Sequence, residues 1–377
     1  MIKEKKGCIK MINVQQAIYE MSKLAPHYLA CDWDNVGLQI GDSSQKVNNI
    51  LVTLDVTEAV VEEAIKKNCE LIISHHPLIF NGLKSINKDN KIGKLIINAV
   101  NNKIAIYSAH TNLDIARGGL NDYFACLLGI EDIVPLKVTE VKKSYKLAVY
   151  IPQDHYQEVT QTMFAKGAGK IGNYSHSSFS TEGKSTFKPL SESNPYRGKK
   201  EEMNNIQEIK FETIVTEDRL DRVLRELYDV HPYEDIAYDL YPLSNKQEKI
   251  GIGRIGELEK KLSLETFIKR IKEKLQLKTF HMLGNVKEEV KKIAFCTGAG
   301  SDYIETAKYA GADLYITGDV KFHEAQRAEA IGLNLIDAGH YKTEIIVKEL
   351  LAEYLSKKLD NTDIIKSEIN TNPWLQI

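Results

Sequence analysis

Two adjacent histidines, His75 and His76, follow a short apolar segment of the chain. The apolar residues 71–73 predict a buried strand, and Pro77 ends it, so both imidazoles are expected in a loop at the strand's carboxyl end. In an open α/β sheet, ligands bind at this edge. Because adjacent strand residues point to opposite faces, a flat strand cannot direct both rings to one ion. Either the chain bends there, or the rings bind two different metals, or they are unrelated surface or capping histidines.

Two further pairs of potential metal ligands are spaced four residues apart, each after a predicted strand. The pairs are His110 with Asp114, and His340 with Glu344. On a helix, residues four apart lie on one face, so each pair can reach a single ion, and a carboxylate can also bridge two cations. Each residue alone could instead cap a helix or hydrogen-bond in a loop. Together, at three strand ends of one predicted sheet, these residues predict a metal site.

The residue types of these six potential ligands indicate a catalytic site. Four histidines and two carboxylates, without cysteine, suit Zn, Fe, Mn or Co. Six ligands are too few to saturate two metals, which leaves positions for water. Asp319 and His323, near another strand end, are candidate catalytic residues that orient ligands or transfer protons, or else cap a helix and face solvent. The turn at 297–300 could hold an anion on its N–H groups, although a plain βα turn fits it better.

The composition excludes several classes of protein. The chain has 377 residues, 43% hydrophobic and 27% charged, with a net charge of −2. This is ordinary for a soluble globular protein of two or three domains and gives no indication of nucleic acid or an anionic membrane as partner. The five cysteines form no C-x-x-C pair, which fits a reducing cytoplasm. No apolar segment approaches the ~18 residues of a membrane span. The first ten residues lack the apolar core of a secretory signal, and Met11 is an alternative start to Met1.

Apolar spacing predicts alternating strands and helices, and therefore βαβ units with a parallel sheet, in the first and last thirds of the chain. The predicted helices there include residues 13–24, 91–101, 120–128, 264–275, 322–330 and 343–359. The middle of the chain differs, since strands are predicted at 146–151, 208–215 and 237–241, with helices at 156–166 and 218–228. If the Gly/Ser-rich residues 167–185 contain one more strand, the order is that of a ferredoxin-like fold.

The domain prediction follows from this change of pattern. An α+β domain is placed at residues 138–246 and interrupts an α/β domain formed by residues 11–137 and 247–377. Residues 244–247 are the predicted linker back to the second part.

Several of these segments together closely resemble the GTP cyclohydrolase 1 type 2 homologue family, also called Nif-three-like. The matching segments are 74–80, 110–114, 317–319 with His323, 337–340 with Glu344, 33–38 and 55–57. The resemblance extends from about residue 11 to the C-terminal region.

The resemblance implies two α/β lobes around a dinuclear metal site in a ring-shaped homohexamer, with two divalent metal ions per subunit. It also implies an inserted domain similar to PII and CutA proteins, and the segments that carry this are 169–174, Phe179 and 231–234. Carried over by position, Glu344 bridges the two ions, and the full ligand set is His75, His76, Asp114, His340 and Glu344.

The family name implies that metal-activated water opens the imidazole ring of GTP and releases formate. A dinuclear site with open positions can equally hydrolyse phosphate esters, and no motif here recognises guanine. A third function is non-enzymatic: a metal-loaded ring whose inserted domain senses a small molecule or binds a partner. We therefore expect a dinuclear metal-dependent hydrolase of a small-molecule substrate, with nucleotides as candidates.

Overall fold

The computed structural model describes residues 11–245 and 248–374. Predictions that concern residues 1–10 and the domain boundary predicted between 246 and 247 lie outside the described residues. Of the linker predicted at 244–247, the structure describes residues 244 and 245, which form a turn. The chain divides into two compact units. One, the main unit, is formed by the described parts of Met1–Thr139 and Gly251–Ile377. The other, the inserted unit, is formed by the described parts of Glu140–Ile250.

The strands and helices are numbered in chain order. The strands are β1 Ile12–Asn13, β2 Gly37–Ile40, β3 Lys46–Val47, β4 Asn49–Thr53, β5 Leu71–Ser74, β6 Ala105–Ser108, β7 Ile130–Lys142, β8 Ser144–Pro152, β9 Ser178–Phe187, β10 Asn204–Thr216, β11 Tyr238–Pro242, β12 Glu248–Ser263, β13 His281–Leu283, β14 Glu289–Ala299, β15 Leu314–Gly318, β16 Asn334–Asp337 and β17 Asp363–Lys366. The α-helices are α1 Val14–Leu24, α2 Glu58–Lys66, α3 Lys91–Asn101, α4 Thr111–Ile115, α5 Leu120–Leu128, α6 Tyr156–Ala165, α7 Glu217–Val230, α8 Leu264–Leu275, α9 Ile304–Tyr309, α10 Phe322–Ala330, α11 His340–Glu344 and α12 Val347–Ser356.

The main unit contains two larger sheets with mixed strand directions. The five-stranded sheet has the order β17-β4-β5-β6-β2, and the six-stranded sheet has the order β13-β16-β15-β14-β12-β7. Strands β4, β5 and β6 are parallel, as are β14, β15 and β16. Each sheet contains an edge strand from the opposite part of the chain. The late strand β17 pairs with β4 of the first sheet, and the early strand β7 lies beside β12 of the second.

Burial on both faces explains the apolar runs of the parallel strands. Leu71, Ile72 and Ile73 of β5 are almost fully buried, as expected of a strand covered on both sides. Helix α2 is capped at its start, since the Thr57 side chain accepts a hydrogen bond from the backbone N–H of Val60. The carboxyl ends of β5, β6 and β16 lead directly into the histidines of interest.

The inserted unit is a four-stranded antiparallel sheet with two helices. Its strand order is β11-β8-β10-β9, and the chain runs strand–helix–strand–strand–helix–strand. The Gly/Ser-rich tract does contain a strand, β9, which completes the ferredoxin-like order. Val149 and Phe211, which pair across β8 and β10, pack with Val159 of α6 in the core between sheet and helices.

The predicted long helix 343–359 is wrong in its extent. The structure has two helices, α11 and α12, separated by a turn at Ile345 and Ile346. The backbone N–H groups of Lys348 and Glu349 bond to carbonyls three residues back, so the α-helical pattern is interrupted. The apolar spacing continues through the turn, which is why periodicity alone did not reveal it.

Cys31, Cys69, Cys126 and Cys296 are free thiols, and Cys8 lies outside the described residues. Across the described ranges, no helix combines the length and apolar character that a bilayer crossing demands.

A buried arginine joins the early and late segments of the main unit. The Arg254 Nε donates to Asp122 Oδ1 at 2.6 Å, and its terminal nitrogens donate to four backbone carbonyls, those of Gly251, Gly253, Ile115 and Ala116. The side chain is only 5% exposed. One planar guanidinium therefore donates hydrogen bonds both to a carboxylate and to the carbonyls at the end of α4.

We expect Arg254→Met to lower the free energy of unfolding by about 3 kcal/mol, because it leaves Asp122 and four carbonyls without their donor. Chemical denaturation followed by circular dichroism measures this. Arg327→Met is the control, since Arg327 is half exposed and lies 3.8 Å from Glu305. Equal and small losses for both variants would contradict the role of Arg254.

Candidate metal centre

Both adjacent histidines lie beyond the end of β5. Strand β5 ends at Ser74, whose hydroxyl donates to the carbonyl of His76 at 2.9 Å and so bends the chain. The rings of His75 and His76 are 5.1 Å apart and inclined by 40°. Since neither residue is in a flat strand, both rings reach the same region of the molecule.

Helix α11 brings His340 and Glu344 together on one face, as their spacing predicts. His340 Nε2 is 2.9 Å from Glu344 Oε2, and His76 Nε2 is 3.0 Å from the same oxygen. The other carboxylate oxygen, Oε1, is 3.8 Å from His75 Nε2, which in turn is 3.6 Å from Asp114 Oδ1. The two oxygens of Glu344 therefore face two different groups of side chains.

His110 also belongs to this cluster. It immediately precedes α4, and potential ligand atoms of His75, His76 and His110 lie within 4.8 Å of one another. The same holds for His76, His340 and Glu344. All six candidate ligand residues therefore converge, including His110, which is not in the ligand set implied by the family resemblance. The prediction of a single sheet is wrong, because β5 and β6 belong to the five-stranded sheet and β16 belongs to the six-stranded sheet.

Each of the four imidazoles is held through its Nδ1 atom by an oxygen acceptor. The pairs are His75 with the Ala109 carbonyl at 2.8 Å, His76 with Asp55 at 2.7 Å, His110 with Asp34 at 3.0 Å, and His340 with Asp319 at 2.7 Å. Such a partner fixes the tautomer and the orientation of the ring, leaving Nε2 as the nitrogen for a metal.

The two candidate catalytic residues are placed differently. Asp319 hydrogen-bonds to His340 and has a positive φ of 55°, a strained conformation for a residue other than glycine. His323 is exposed on α10 and pairs with Gln326 at 3.0 Å, so the structure does not bring it into the cluster.

Sequence reasoning missed Asp34 and Asp55 as partners of the histidines. Both occur in segments that carry the family resemblance, but neither has a helical spacing to the ring it holds. Asp55 lies two residues after the end of β4, so its position near the carboxyl end of a parallel strand was the available signal. The Thr371 hydroxyl donates to the other oxygen of Asp55 and fixes that carboxylate in turn.

The charges of the cluster are strongly coupled. Burial opposes protonation of His76, but Asp55 and Glu344 raise its pKa to about 10. Burial likewise opposes protonation of His340, and Glu344 and Asp319 raise its pKa to about 9. Burial raises the pKa of Asp114, whereas the surrounding imidazoles hold the pKa of Glu344 well below its ordinary value despite its burial.

Three buried ligand atoms lack a hydrogen-bond partner among the described residues. They are His75 Nε2, Asp114 Oδ1 and Glu344 Oε2. The nitrogens of His76 and His340 are close to Glu344 Oε2, but their geometry does not meet that of a hydrogen bond. A buried polar atom without a partner costs about 1–3 kcal/mol. Divalent cations bound on the two sides of Glu344 would satisfy all three atoms, so the residues fit a metal centre.

The turn at 297–300 packs against Glu344. Gly298 has a φ of 66°, and a Cβ built on it would lie 2.1 Å from Glu344 Oε1. Its backbone N–H donates to Thr343 Oγ1 at 2.9 Å. Only glycine leaves room here for the carboxylate, so the turn positions Glu344.

A cavity of about 890 Å³ opens beside the cluster. His76, Asp319 and His340 line its inner side. Its other walls carry apolar, aromatic, basic and acidic side chains, among them Phe280, His281, Tyr341, Lys342, Trp374, Asp55 and Asp337.

Gly298→Ala should weaken metal binding, because the added methyl group displaces Glu344. Gly118→Ala is the matched control, since Gly118 also has a positive φ (72°) but its nearest neighbour lies 3.9 Å away. Backbone strain should cost both variants about 1 kcal/mol in unfolding free energy. Only Gly298→Ala should lose metal in equilibrium dialysis, and unchanged metal binding by that variant would contradict the packing argument.

Metal binding should release protons at neutral pH. His76 and His340 have raised pKa values, so both are protonated at neutral pH and each must lose its proton before Nε2 can bind a cation. Calorimetric titration in buffers of different ionisation enthalpy should show release of about two protons per chain, with affinity rising from about pH 7 to about pH 9. Binding without proton release would show that these two rings do not act as ligands.

The model of the family described as Duf34/NIF3 (NGG1p interacting factor 3) matches residues 12–373. Two curated relatives named GTP cyclohydrolase 1 type 2 homolog are each 40% identical to this chain. The protein of Halalkalibacterium halodurans matches over 97% of this chain and 99% of its own length, and that of Bacillus subtilis matches over the same shares.

Solved structures agree with the sequence comparisons. A Bacillus cereus protein related to NIF3 has a TM-score of 0.85 and 39% identity, over 98% of this chain and 100% of the other. Staphylococcus aureus protein SA1388 has a TM-score of 0.79 and 30% identity over the same shares. The resemblance found in the motifs is confirmed: this chain belongs to the Duf34/NIF3 family, whose curated members carry the name GTP cyclohydrolase 1 type 2 homolog.

Proposed function

We propose that this protein is a divalent-metal-dependent hydrolase with a dinuclear centre. The observation that carries the proposal is the group of three buried, unpaired ligand atoms on His75, Asp114 and Glu344. Buried polar atoms without a hydrogen-bond partner are uncommon, and three of them in one cluster of metal-ligand residue types support a bound cation.

The two oxygens of Glu344 support two ions rather than one. We assign His75, Asp114 and Oε1 of Glu344 to one ion, and His76, His340 and Oε2 to the other. His110 lies beside the first group and is a further ligand or a neighbour of its water. Histidine and carboxylate ligands suit Zn, Fe, Mn or Co.

Bound divalent ions supply a Lewis acid and lower the pKa of water, which is the chemistry of many hydrolases. The protein's own residues do the positioning. Asp55 and Asp319 hold the imidazoles of His76 and His340 so that neither ring can rotate away. The side chain of Asp319 is also 56% exposed and lines the cavity, so it is within reach of a substrate and is the candidate for proton transfer. His323, exposed on α10, is the weaker candidate for that role.

The substrate we propose is a nucleotide or another small phosphate ester. The cavity volume falls in the range of small-molecule sites, its aromatic side chains can stack on a base, and Lys342 can face a phosphate. The name of the relatives suggests one specific reaction, the hydrolytic opening of the GTP imidazole ring with release of formate. Phosphoester hydrolysis is the second candidate, and Lys342 in the lining favours it.

The family resemblance also supports three statements about the whole protein. We propose a ring-shaped homohexamer, a cytoplasmic location, and a PII/CutA-like inserted domain at about 138–246 within the α/β domain. Light scattering coupled to size exclusion tests the first of these directly.

Glu344→Gln should remove hydrolysis and at least one bound metal, because the amide has a single acceptor oxygen and cannot bridge two cations as a carboxylate does. Metal-loaded protein is assayed for formate release from GTP and for turnover of nucleotides and phosphodiesters. Glu329→Gln, on the exposed side of α10, is the matched control and should behave as the parent protein.

Elemental analysis distinguishes a failure of the proposed metal centre from a failure of the proposed hydrolase activity. Fewer than about one metal per chain after reconstitution would overturn the metal centre itself. Full metal loading without turnover of any substrate would overturn the hydrolase and leave the non-enzymatic regulatory ring.

A further inference from the structure

The inserted unit contains a cavity of its own that the proposed hydrolase does not use. Its volume is about 430 Å³. It lies on the sheet face opposite the helices: Phe211 pairs with Val149 on the helix face, so Tyr150 and Glu208, at alternate positions, project to the other side. The segment between β9 and β10 borders the cavity through Pro195, Tyr196 and Arg197, among others.

A buried carboxylate lies in the wall of this cavity. Glu208 is only 6% exposed. Its two oxygens accept hydrogen bonds from the hydroxyls of Ser185 and Tyr233. Within the described residues no lysine, arginine or histidine forms an ion pair with it. Neutral hydroxyls compensate a buried negative charge only in part, so the wall retains an affinity for a positive charge.

The other charges of the wall add to this negative potential. Glu234 and Asp235 also line the cavity. Among the described lining residues Arg197 is the one basic side chain, and it is already paired with Asp154 at 2.5 Å. The one basic side chain is therefore outnumbered by three carboxylates, Glu208, Glu234 and Asp235, which disfavours a phosphate group and hence a nucleotide.

The remaining wall is aromatic. Tyr150, Phe187, Tyr196 and Tyr233 line the cavity, and the rings of Tyr196 and Tyr233 are 6.1 Å apart. The tyrosine rings can accept a cation on their faces and pack against a flat apolar body. The burial of Tyr233 and the adjacent Glu208 raise the pKa of the Tyr233 phenol, which keeps it a hydrogen-bond donor.

We propose that the inserted unit binds an organic cation with a flat aromatic or apolar body through this cavity, with Glu208 as the counter-ion. The proposal is independent of the metal centre, because no residue of the cavity belongs to the main unit.

Three indole compounds test the proposal on the full-length protein, because they share a two-carbon side chain and differ in its terminal group and hence in its charge. Tryptamine is cationic, tryptophol is neutral and indole-3-propionate is anionic. Calorimetry should show saturable binding of tryptamine, with tryptophol at least about tenfold weaker and indole-3-propionate undetectable. Equal affinity for tryptamine and tryptophol, or preferential binding of ATP, would overturn the proposal.

Variants locate the site. Glu208→Gln keeps the shape of the side chain and should abolish the preference for tryptamine over tryptophol. Glu182→Gln, an exposed carboxylate on β9 outside the cavity, should keep it. If Glu208→Gln fails to fold, Ala237→Trp blocks the rim of the cavity from an exposed position and should remove tryptamine binding. A preference for tryptamine that survives in a folded Glu208→Gln variant, or tryptamine binding that survives in Ala237→Trp, would contradict the assignment.

Discussion

The burial of the Glu344 carboxylate is the constraint on which the main unit depends. Its side chain is 4% exposed, and charged carboxylates are rarely buried without compensation. The surroundings supply imidazoles from three strand ends, each anchored through Nδ1 on an oxygen. Gly298 leaves room for one carboxylate oxygen, and α11 ends at Glu344 itself. The parallel strands, the absence of a Cβ at Gly298 and the end of α11 therefore all contribute to the position of the Glu344 side chain.

The two cavities of the chain differ in their polar linings. The cavity beside the candidate metal centre carries both signs of charge, since Lys342 and three histidines share its lining with Asp55, Asp319 and Asp337. In the cavity of the inserted unit, the carboxylates of Glu208, Glu234 and Asp235 outnumber the one basic side chain, Arg197. The ligands proposed for the two cavities therefore differ in charge, and no residue lines both cavities.

Local patterns predicted most of the elements. Helices such as α3, α5, α8 and α10 begin and end where the apolar spacing indicates, because each has one stripe of core residues. The edge strands β13 and β17 were not predicted, since short exposed strands owe their existence to a partner strand far away in sequence. The break between α11 and α12 was missed for a related reason. Tertiary packing interrupts the helix there, but the apolar spacing of the sequence continues through the turn.

The sequence predicted which residue types form the candidate site, but not the carboxylates that hydrogen-bond to its histidines. Histidines and carboxylates at strand ends are visible in the sequence because parallel strands bring their carboxyl ends to one edge. The anchoring of His76 by Asp55, and of His110 by Asp34, depends on how loops fold against each other. The distance of 3.8 Å between His75 and Glu344, likewise, is set by the contact of two sheets and has no local signal.

The order of the ligands along the chain has a consequence for how the centre is assembled. His75, His76, His110 and Asp114 precede the inserted unit, whereas His340 and Glu344 follow it. Contacts of such large sequence separation make folding slow, because a long loop must close before they form. During synthesis, four of the six candidate ligands are made before the inserted unit, and Glu344, which lies between the two groups, is made after it. The proposed metal centre is therefore complete only after the two sheets of the main unit have met.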